Sequence, residues 1–469
     1  MEFETVCGLE VHTELLTETK IFCSCTTDFG GEPNTHCCEV CTGMPGTLPV
    51  LNEKVLEFAV RCGVALGCEI TRFNRFDRKN YFYPDLPKAY QISQLYLPIC
   101  KNGCVEINDS INGGKKKIRI HEIHMEEDAG KLIHVNGKSL VNYNRAGVPL
   151  LEIVSEPDLS NGAEAAEYTE KLREILMFCG ISDCKMQEGS LRADVNVSVR
   201  KKGSSVLETR TEMKNLSSFR AIKAAVDVEA KRQIELIKSG GEVIRQTRRF
   251  DEKAEKSFPM RNKEEAKDYK YFPEPDIPPL SISGEYIENV KSSLPEMPDE
   301  KKKRYVKIGL TEYDADVICS DLNTVSLFEK TAELTSLPKE SANWVLGEAA
   351  ALLKEGDKTV TPELLAKVIL LNKSGKITRE AAKQTLFACA SSSLAPEEYI
   401  KNNSLEALND ERLIENTAKK IIALNEKAVN EYKSGKDKAL NYLVGQCMRE
   451  LKGKAPADSV REIIAKLIK

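Results

Sequence analysis

Residues Leu191 to Arg200 alternate without interruption: Leu191, Ala193, Val195, Val197 and Val199 fall on one side, and Arg192, Asp194, Asn196, Ser198 and Arg200 on the other. Successive side chains of a strand point to opposite faces, so this segment is a strand with one apolar and one polar face. Thr5 to Glu14 repeats the pattern, with Leu9 and Val11 opposed to Glu10, His12 and Glu14. Glu208, Arg210, Glu212 and Lys214 repeat it again. Three strands with one charged face each predict a single antiparallel sheet whose polar face lines a cleft rather than meeting bulk solvent.

Helices are expected between these strands, at about 162–180 and 217–238. The second carries Ile222, Val226, Ala230, Ile234 and Ile237 at helical spacing and stops at Gly240-Gly241. The proline-rich stretch Tyr271 to Pro279 can be neither helix nor central strand and reads as an extended, rigid segment. From Leu294 onward Lys, Glu, Ala and Leu recur in helical periods, with starts at Thr361-Pro362-Glu363 and Thr378-Arg379-Glu380, so the remainder reads as all-helical. The fold class is therefore α+β. At 469 residues the chain is long enough for roughly three domains.

Chemistry-bearing residues are concentrated near the start. All five histidines (His12, His36, His121, His124 and His134) lie in the first 134 residues, and ten of the fifteen cysteines lie in the first 104. With 41% hydrophobic and 30% charged residues and a net charge of −4, the chain reads as a globular protein with no overall basic bias. Neither a signal-like start nor an apolar run of membrane-spanning length is evident, so a cytoplasmic protein with no membrane partner is expected. In a reducing compartment clustered cysteines point to metal rather than to disulfides. Cys23-Ser24-Cys25 and Cys38-Glu39-Val40-Cys41 have the spacing of a tetrahedral, structural zinc site, with His36 and Cys37 as competing ligands.

His121 to Lys131 packs two imidazoles and a run of carboxylates beside apolar residues, and Glu152 sits within Leu150-Leu151-Glu152-Ile153-Val154. A carboxylate inside a buried strand needs a partner. Glu10 and His12, two apart on one strand, would share a cleft with Glu127, Glu152 and Asp194. Oxygen donors outnumbering nitrogen favour magnesium or manganese over zinc. The loop Phe76 to Tyr90 interleaves cations with aromatics: Lys79 or Lys88 could neutralise phosphate and its tyrosines could stack on a base. No glycine-rich phosphate loop is present, because Gly137-Lys138-Ser139 has Leu132 where a glycine would stand. The segment 433–469 carries nine Lys or Arg against four Asp or Glu, which suits either a phosphate-backbone contact or a solvated helix face.

Five motifs together resemble the B subunit of the tRNA-dependent amidotransferases: Gly8 to His12, Asp77 to Asp85, His124 to Lys131, Glu152 to Asp158 and Tyr271 to Asp276. The resemblance runs nearly end to end and extends to a tail with Leu443-Val444-Gly445-Gln446 and Lys452-Gly453-Lys454. It implies a glutamine synthetase-like antiparallel cradle as catalytic domain over 1–292, with a zinc-binding insertion at 23–41. A helical domain over 293–405 and a helical tRNA-binding tail over 406–469 would follow, with Lys452 and Lys454 at the tRNA.

The activity implied is that of a carbon-nitrogen ligase with glutamine as amido donor. The side-chain carboxylate of Glu-tRNA(Gln) or Asp-tRNA(Asn) is phosphorylated with ATP and Mg2+, and ammonia displaces the phosphate. By the same resemblance His12, Glu127 and Glu152 are expected at a first magnesium ion, Glu10 and Asp194 bear on a second, and Glu212 is a further candidate. Lys79 and Lys88, with Glu127, are expected to act on the phosphate or along the ammonia path. Structural Zn2+ is expected at Cys23, Cys25, Cys38 and Cys41. The partners implied are an amidase A subunit and a small C subunit of a heterotrimer. Cys37 and the Cys100/Cys104 pair match no part of the family pattern. The competing reading is a non-catalytic tRNA-binding scaffold, against which stands the expected convergence of acids from separate strands.

Overall fold

The computed structural model describes residues 2–260, 269–354, 356, 358–392, 394–407, 411–434, 436–451 and 454–468. It divides into two compact units, Met1–Pro298 and Asp299–Lys469.

The first unit is built on a nine-stranded sheet. In spatial order its strands are Lys256–Pro259, Gln246–Asp251, Thr211–Lys214, Leu191–Lys201, Phe3–Glu14, Pro149–Ser155, Lys115–Glu127, Cys100–Asn108 and Glu69–Ile70. Neighbours run antiparallel except for 211–214 beside 246–251, which are parallel. That exception follows from the chain between them: parallel neighbours need a long crossover, and the helix Phe219–Lys238 supplies it.

Alternation sorts the faces as expected. Cys7, Leu9, Val11, Val195, Val197 and Val199 are buried under helices Gly162–Phe178 and Phe219–Lys238, in one core with Ile123, Met125, Leu151 and Ile153. Helix 219–238 starts two residues later than its periodicity suggests because the Ser218 hydroxyl caps it, accepting from the Ala221 amide. It ends where Gly240, at φ +84°, takes the left-handed conformation. The strand expected from Glu208 begins only at Thr211; residues 208–210 are exposed and unpaired in any strand. Within the proline-rich stretch Phe272–Pro273 pairs as an edge strand on Asp77–Asn80, which in turn pairs with Tyr90–Ser93.

The second unit is helical among its described residues, from Asp299 to Ile468. Trp344, Phe328, Leu365, Val368 and Leu386 are among its buried side chains. Thr361 and Thr378 cap the helices Pro362–Lys373 and Arg379–Ala390 by accepting from the amides of Leu364 and Ala381. The helices from Glu411 onward enclose a core of their own, with Ile414, Ala418, Leu443, Cys447, Val460 and Ile464. The architecture is α+β, as the sequence predicts. No helix among the described residues is long and apolar enough to cross a membrane.

Candidate active site

Strand register assembles the site on the polar face of the large sheet. His12 stands between Glu152 on one neighbour and Arg192 on the other, Glu152 lies opposite His124, and Glu10 lies opposite Asp194. One ligand atom from each of Glu10, His12 and Glu152 falls within 4.8 Å of the others. His12 Nε2 is 3.9 Å from Glu152 and 3.7 Å from Glu126.

Three carboxylates around one imidazole cannot all stay ionised without a counter-charge. Burial, the nearby Glu126 carboxylate and the hydrogen bond with Glu10 push Glu152 well above the ordinary carboxyl range. Glu10 is held low: burial opposes this, but the hydrogen bond from Glu152 and the charges of His12, Lys214 and Lys79 outweigh it. A proton held between Glu152 and Glu10 thus does what a cation would do. An oxygen-rich set with one nitrogen donor fits Mg2+ or Mn2+.

The other residues expected at the ion are placed differently. Asp194 and Glu212 both pair with Lys214, Glu212 at 3.0 Å, and Glu212 also accepts from the Thr247 hydroxyl at 2.6 Å. They border Glu10 but stand outside the three-residue cluster. Glu127 is not brought to it at all. After a bulge near His121, the even-numbered Glu122, His124 and Glu126 face the cleft, while Glu127 follows Met125 to the opposite face. There the Glu127 carboxylate accepts from Lys88 Nζ at 2.5 Å and from the Ile92 amide at 2.9 Å. Glu126, which the family motif does not single out, takes the place beside His12. Strict alternation through Ile123, Met125 and Glu127 is the signal that separates the two.

The Lys88–Glu127 pair lines a small cavity with Lys20, Phe22, Cys23, Cys41 and Gly43. Gly43, at φ +72°, lies so close to Lys88 that a Cβ there would meet its Cγ at 2.5 Å. Beyond it Cys23, Cys25, Cys38 and Cys41 converge, each sulfur within 4.8 Å of the others. The hydrogen bond from Cys23 is the largest of several effects that lower the Cys41 thiol to about 5, against burial. The donors are those of a closed tetrahedral zinc site. Cys37 and His36 stand outside it: Cys37 donates to the Asn34 carbonyl, and the His36 carbonyl accepts from Lys20. Lys20 is fully buried, with Nζ 2.7 Å from the His36 carbonyl and 3.7 Å from Cys41 Sγ. No sequence pattern marks it.

Lys79 lies on the strand 77–80 and faces the acids. Burial would lower its pKa, but Glu126, Tyr271 and Glu152 outweigh burial and hold the ammonium above the usual lysine value. Its Nζ lies over the rings of Tyr269 (5.2 Å) and Tyr81 (5.9 Å). Those rings are taken up by one another and by Lys79, so the aromatics of this loop left open to a base are Phe82 and Tyr83, 85% and 58% exposed. In the helical unit Lys454 is half-buried after the helix Asp437–Glu450, its amide donating to the Leu451 carbonyl. Lys452 lies outside the described residues.

An open sheet with an acidic floor able to take a divalent cation, a lysine poised over it and a four-thiol knob beside it defines an α+β protein with two sets of side chains that could hold metal ions. Comparison with known proteins specifies the family. Residues 5–288 match the GatB/GatE catalytic domain and residues 326–468 the GatB domain. Among curated proteins, the chain is 52% identical over 474 residues to the B subunit of the aspartyl/glutamyl-tRNA(Asn/Gln) amidotransferase from Lachnoclostridium phytofermentans, covering 99% of both chains. It is 51% identical over 475 residues to the protein of that name from Caldicellulosiruptor saccharolyticus, covering 99% of this chain and 98% of the relative. It is 52% identical over 471 residues to that from Thermoanaerobacter pseudethanolicus, covering 99% of both. The chain belongs to the GatB/GatE family, the B subunits of tRNA-dependent amidotransferases.

Proposed function

We propose that this chain activates the side-chain carboxylate of Glu-tRNA(Gln), Asp-tRNA(Asn) or both by phosphorylation with ATP, and then transfers ammonia to it. The observation that carries the reading is the convergence of Glu10, His12 and Glu152 from two adjacent strands, beside Glu126 and facing Lys79.

A carboxylate is a poor electrophile because its hydroxide-equivalent leaving group is poor. Its oxygen attacks the γ-phosphorus of ATP, ADP departs, and the acyl phosphate so formed loses phosphate when ammonia attacks the carbonyl carbon. Glu10, His12 and Glu152 would hold Mg2+, with Glu126 adding charge beside them and Asp194 and Glu212, released from Lys214, bearing on a second ion. When bound, the ion draws charge from the phosphoryl oxygens and so stabilises the transferring group. Lys79 offers a fixed ammonium toward the same charge.

Lys88 and Glu127 line the cavity on the opposite face of the strand end, and that polar, partly enclosed cavity suits ammonia. The nitrogen donor would be glutamine, hydrolysed by an amidase A subunit, with a small C subunit completing a heterotrimer. The four cysteines would hold structural Zn2+, pinning the loop that closes the cavity. We assign residues 1–292 to the catalytic cradle, 293–405 to a helical domain and 406–469 to a tail that binds tRNA through residues such as Lys452 and Lys454.

The test is formation of Gln-tRNA or Asn-tRNA from the misacylated species by the chain co-purified with its partner subunits, with ATP, Mg2+ and ammonium in place of glutamine. ATP-dependent amidation that is lost in Glu152→Ala supports the reading. Normal amidation by that variant would instead make this chain a tRNA-binding scaffold.

A further inference from the structure

Lys79 differs from the other cations around the cleft. Among the described residues its Nζ has no hydrogen bond and no carboxylate within ion-pair distance, although it is largely buried and feels Glu126 and Glu152. Arg192 and Lys214 are each paired with an acid. What surrounds the Lys79 ammonium is aromatic: the faces of Tyr269 and Tyr81, with the Tyr271 hydroxyl acting on it as well. The three tyrosines brace one another edge to face, Tyr81 to Tyr269 at 5.6 Å and Tyr269 to Tyr271 at 6.2 Å.

These rings come from segments about 190 residues apart, and the structure shows what fastens them together. The Asn80 amide donates to the Tyr269 carbonyl at 2.9 Å and the Asn80 side chain to the Lys270 carbonyl at 2.7 Å. Phe272 pairs with Arg78 as a strand. The Arg78 guanidinium grips the buried Glu274 carboxylate at both oxygens, 2.6 and 2.9 Å, and reaches Asp276 at 2.9 Å while stacking on Tyr90. A two-pronged guanidinium–carboxylate contact fixes orientation as well as distance.

We infer that the returning segment Tyr269–Asp276 is a positioning device: clamped through Arg78 and Glu274, it places the ring of Tyr269, braced by Tyr81 and Tyr271, so that the Lys79 ammonium points into the cleft without being captured by Glu126 or Glu152. A cation held by ring quadrupoles keeps its charge available, because an aromatic face attracts it without neutralising it. An ion pair with a carboxylate would spend that charge before any phosphate arrived. The role of Tyr269 is thus exerted through Lys79, and the inference rests on the reading of Lys79 as the group that meets the transferring phosphoryl.

The test uses the full chain in complex with its partner subunits. In Tyr269→Phe the ring face is retained, and kcat for ammonium-dependent amidation stays within about twofold of the parent. In Tyr269→Leu the face is lost, and kcat falls about three- to thirtyfold with KM for the misacylated tRNA little changed. On a Lys79→Met background, Tyr269→Leu should cost nothing further. Equal losses in the Phe and Leu variants, or a full additional loss on the Lys79→Met background, would overturn the inference. A second readout needs no activity: amine-reactive labelling read by mass spectrometry should modify Lys79 faster in Tyr269→Leu than in the parent or Tyr269→Phe. If amidation is absent altogether the functional reading fails, yet the labelling order still decides whether Tyr269 positions Lys79; equal labelling in all three overturns it.

Discussion

Exchanging Glu126 and Glu127 one at a time by glutamine should separate two acids that are adjacent in sequence and opposed in space. Glu126 is buried, 3.7 Å from His12, and after burial itself is the next largest cause driving Glu152 toward its protonated form. At an effective dielectric of about 20, two unit charges 4 Å apart interact by about 4 kcal/mol. Part of that is already relieved by the proton that Glu152 holds, so Glu126→Gln should stabilise the metal-free chain by about 1 kcal/mol. The same substitution removes a charge from the ion's surroundings, and losing about 2 to 3 kcal/mol of attraction weakens Mg2+ binding roughly thirty- to a hundredfold or somewhat more.

Glu127→Gln has the reverse signature. It breaks a buried pair with Lys88 and leaves an ammonium poorly compensated, at about 3–5 kcal/mol of stability, while Mg2+ affinity changes little. Calorimetric Mg2+ titration and denaturant melts of the metal-free proteins measure both quantities. If Glu127→Gln weakened Mg2+ binding and Glu126→Gln left it intact, the strand phase that sends the two acids to opposite faces would be wrong.

Other consequences can be measured on the same chain. Purified protein should carry about one zinc per chain by elemental analysis, and a chelator should abolish hydrogen-exchange protection around residues 20–50 while sparing the large sheet. Glu14 is raised to about 7, by burial first and by the Asp128 carboxylate next, so the folded state holds a proton there that the unfolded chain releases near 4.5. Its contribution is therefore present at low pH and lost as pH climbs to about 7. Glu14→Gln should remove that slope, gaining on the parent by at most about 3 kcal/mol between acid and pH 8 in metal-free melts. In the tail, Lys454→Ala and Lys452→Ala should each lower the slope of log affinity for tRNA against log salt by about one, and a slope unchanged by both would remove them from the tRNA interface.

Legibility in the sequence followed period. The strands 3–14 and 191–201 alternate cleanly, so their faces, and with them Glu10, His12, Asp194 and the apolar core beneath, could be read directly. The cysteine knob was legible because ligand spacing is a local property, and the helical half because caps and breakers are local too. The Glu126–Glu127 choice was harder because a bulge near residue 121 shifts the phase of the strand, and counting from Ile118 and Ile120 then misleads. For Asp194 and Glu212 the sequence could not show that Lys214, on the same strand face as Glu212, also reaches Asp194 on the neighbouring strand and pairs with both. Tyr269 and Lys20 could not be found by pattern at all. Each acts across a long sequence separation, on Lys79 and on the knob, and the periodicity of its own segment says nothing about that partner.

The arrangement of charge around the cleft has a directional consequence. Arg192 is committed to Asp128, and Lys214 to Asp194 and Glu212. An anion arriving near either of these must compete with a carboxylate already in place, and the gain from the new contact is offset by the old one lost. Near Lys79 the competitors are ring faces, whose hold on a cation is weaker than a buried carboxylate's. An incoming phosphate is therefore drawn to the Lys79 side of the acid cluster. The cluster of Glu10, Glu152 and Glu126, which keeps a net negative charge even with a proton shared between Glu152 and Glu10, repels it until a cation neutralises the cluster. Binding of the divalent ion and of the nucleotide should accordingly be strongly cooperative in this cleft. In Lys79→Met nucleotide affinity should fall both with and without Mg2+ while the cooperativity persists, because the phosphate loses a positive partner that no carboxylate holds but the acids remain, and calorimetric nucleotide titrations with and without Mg2+ would show it; affinity unchanged in that variant would mean the phosphate is received elsewhere.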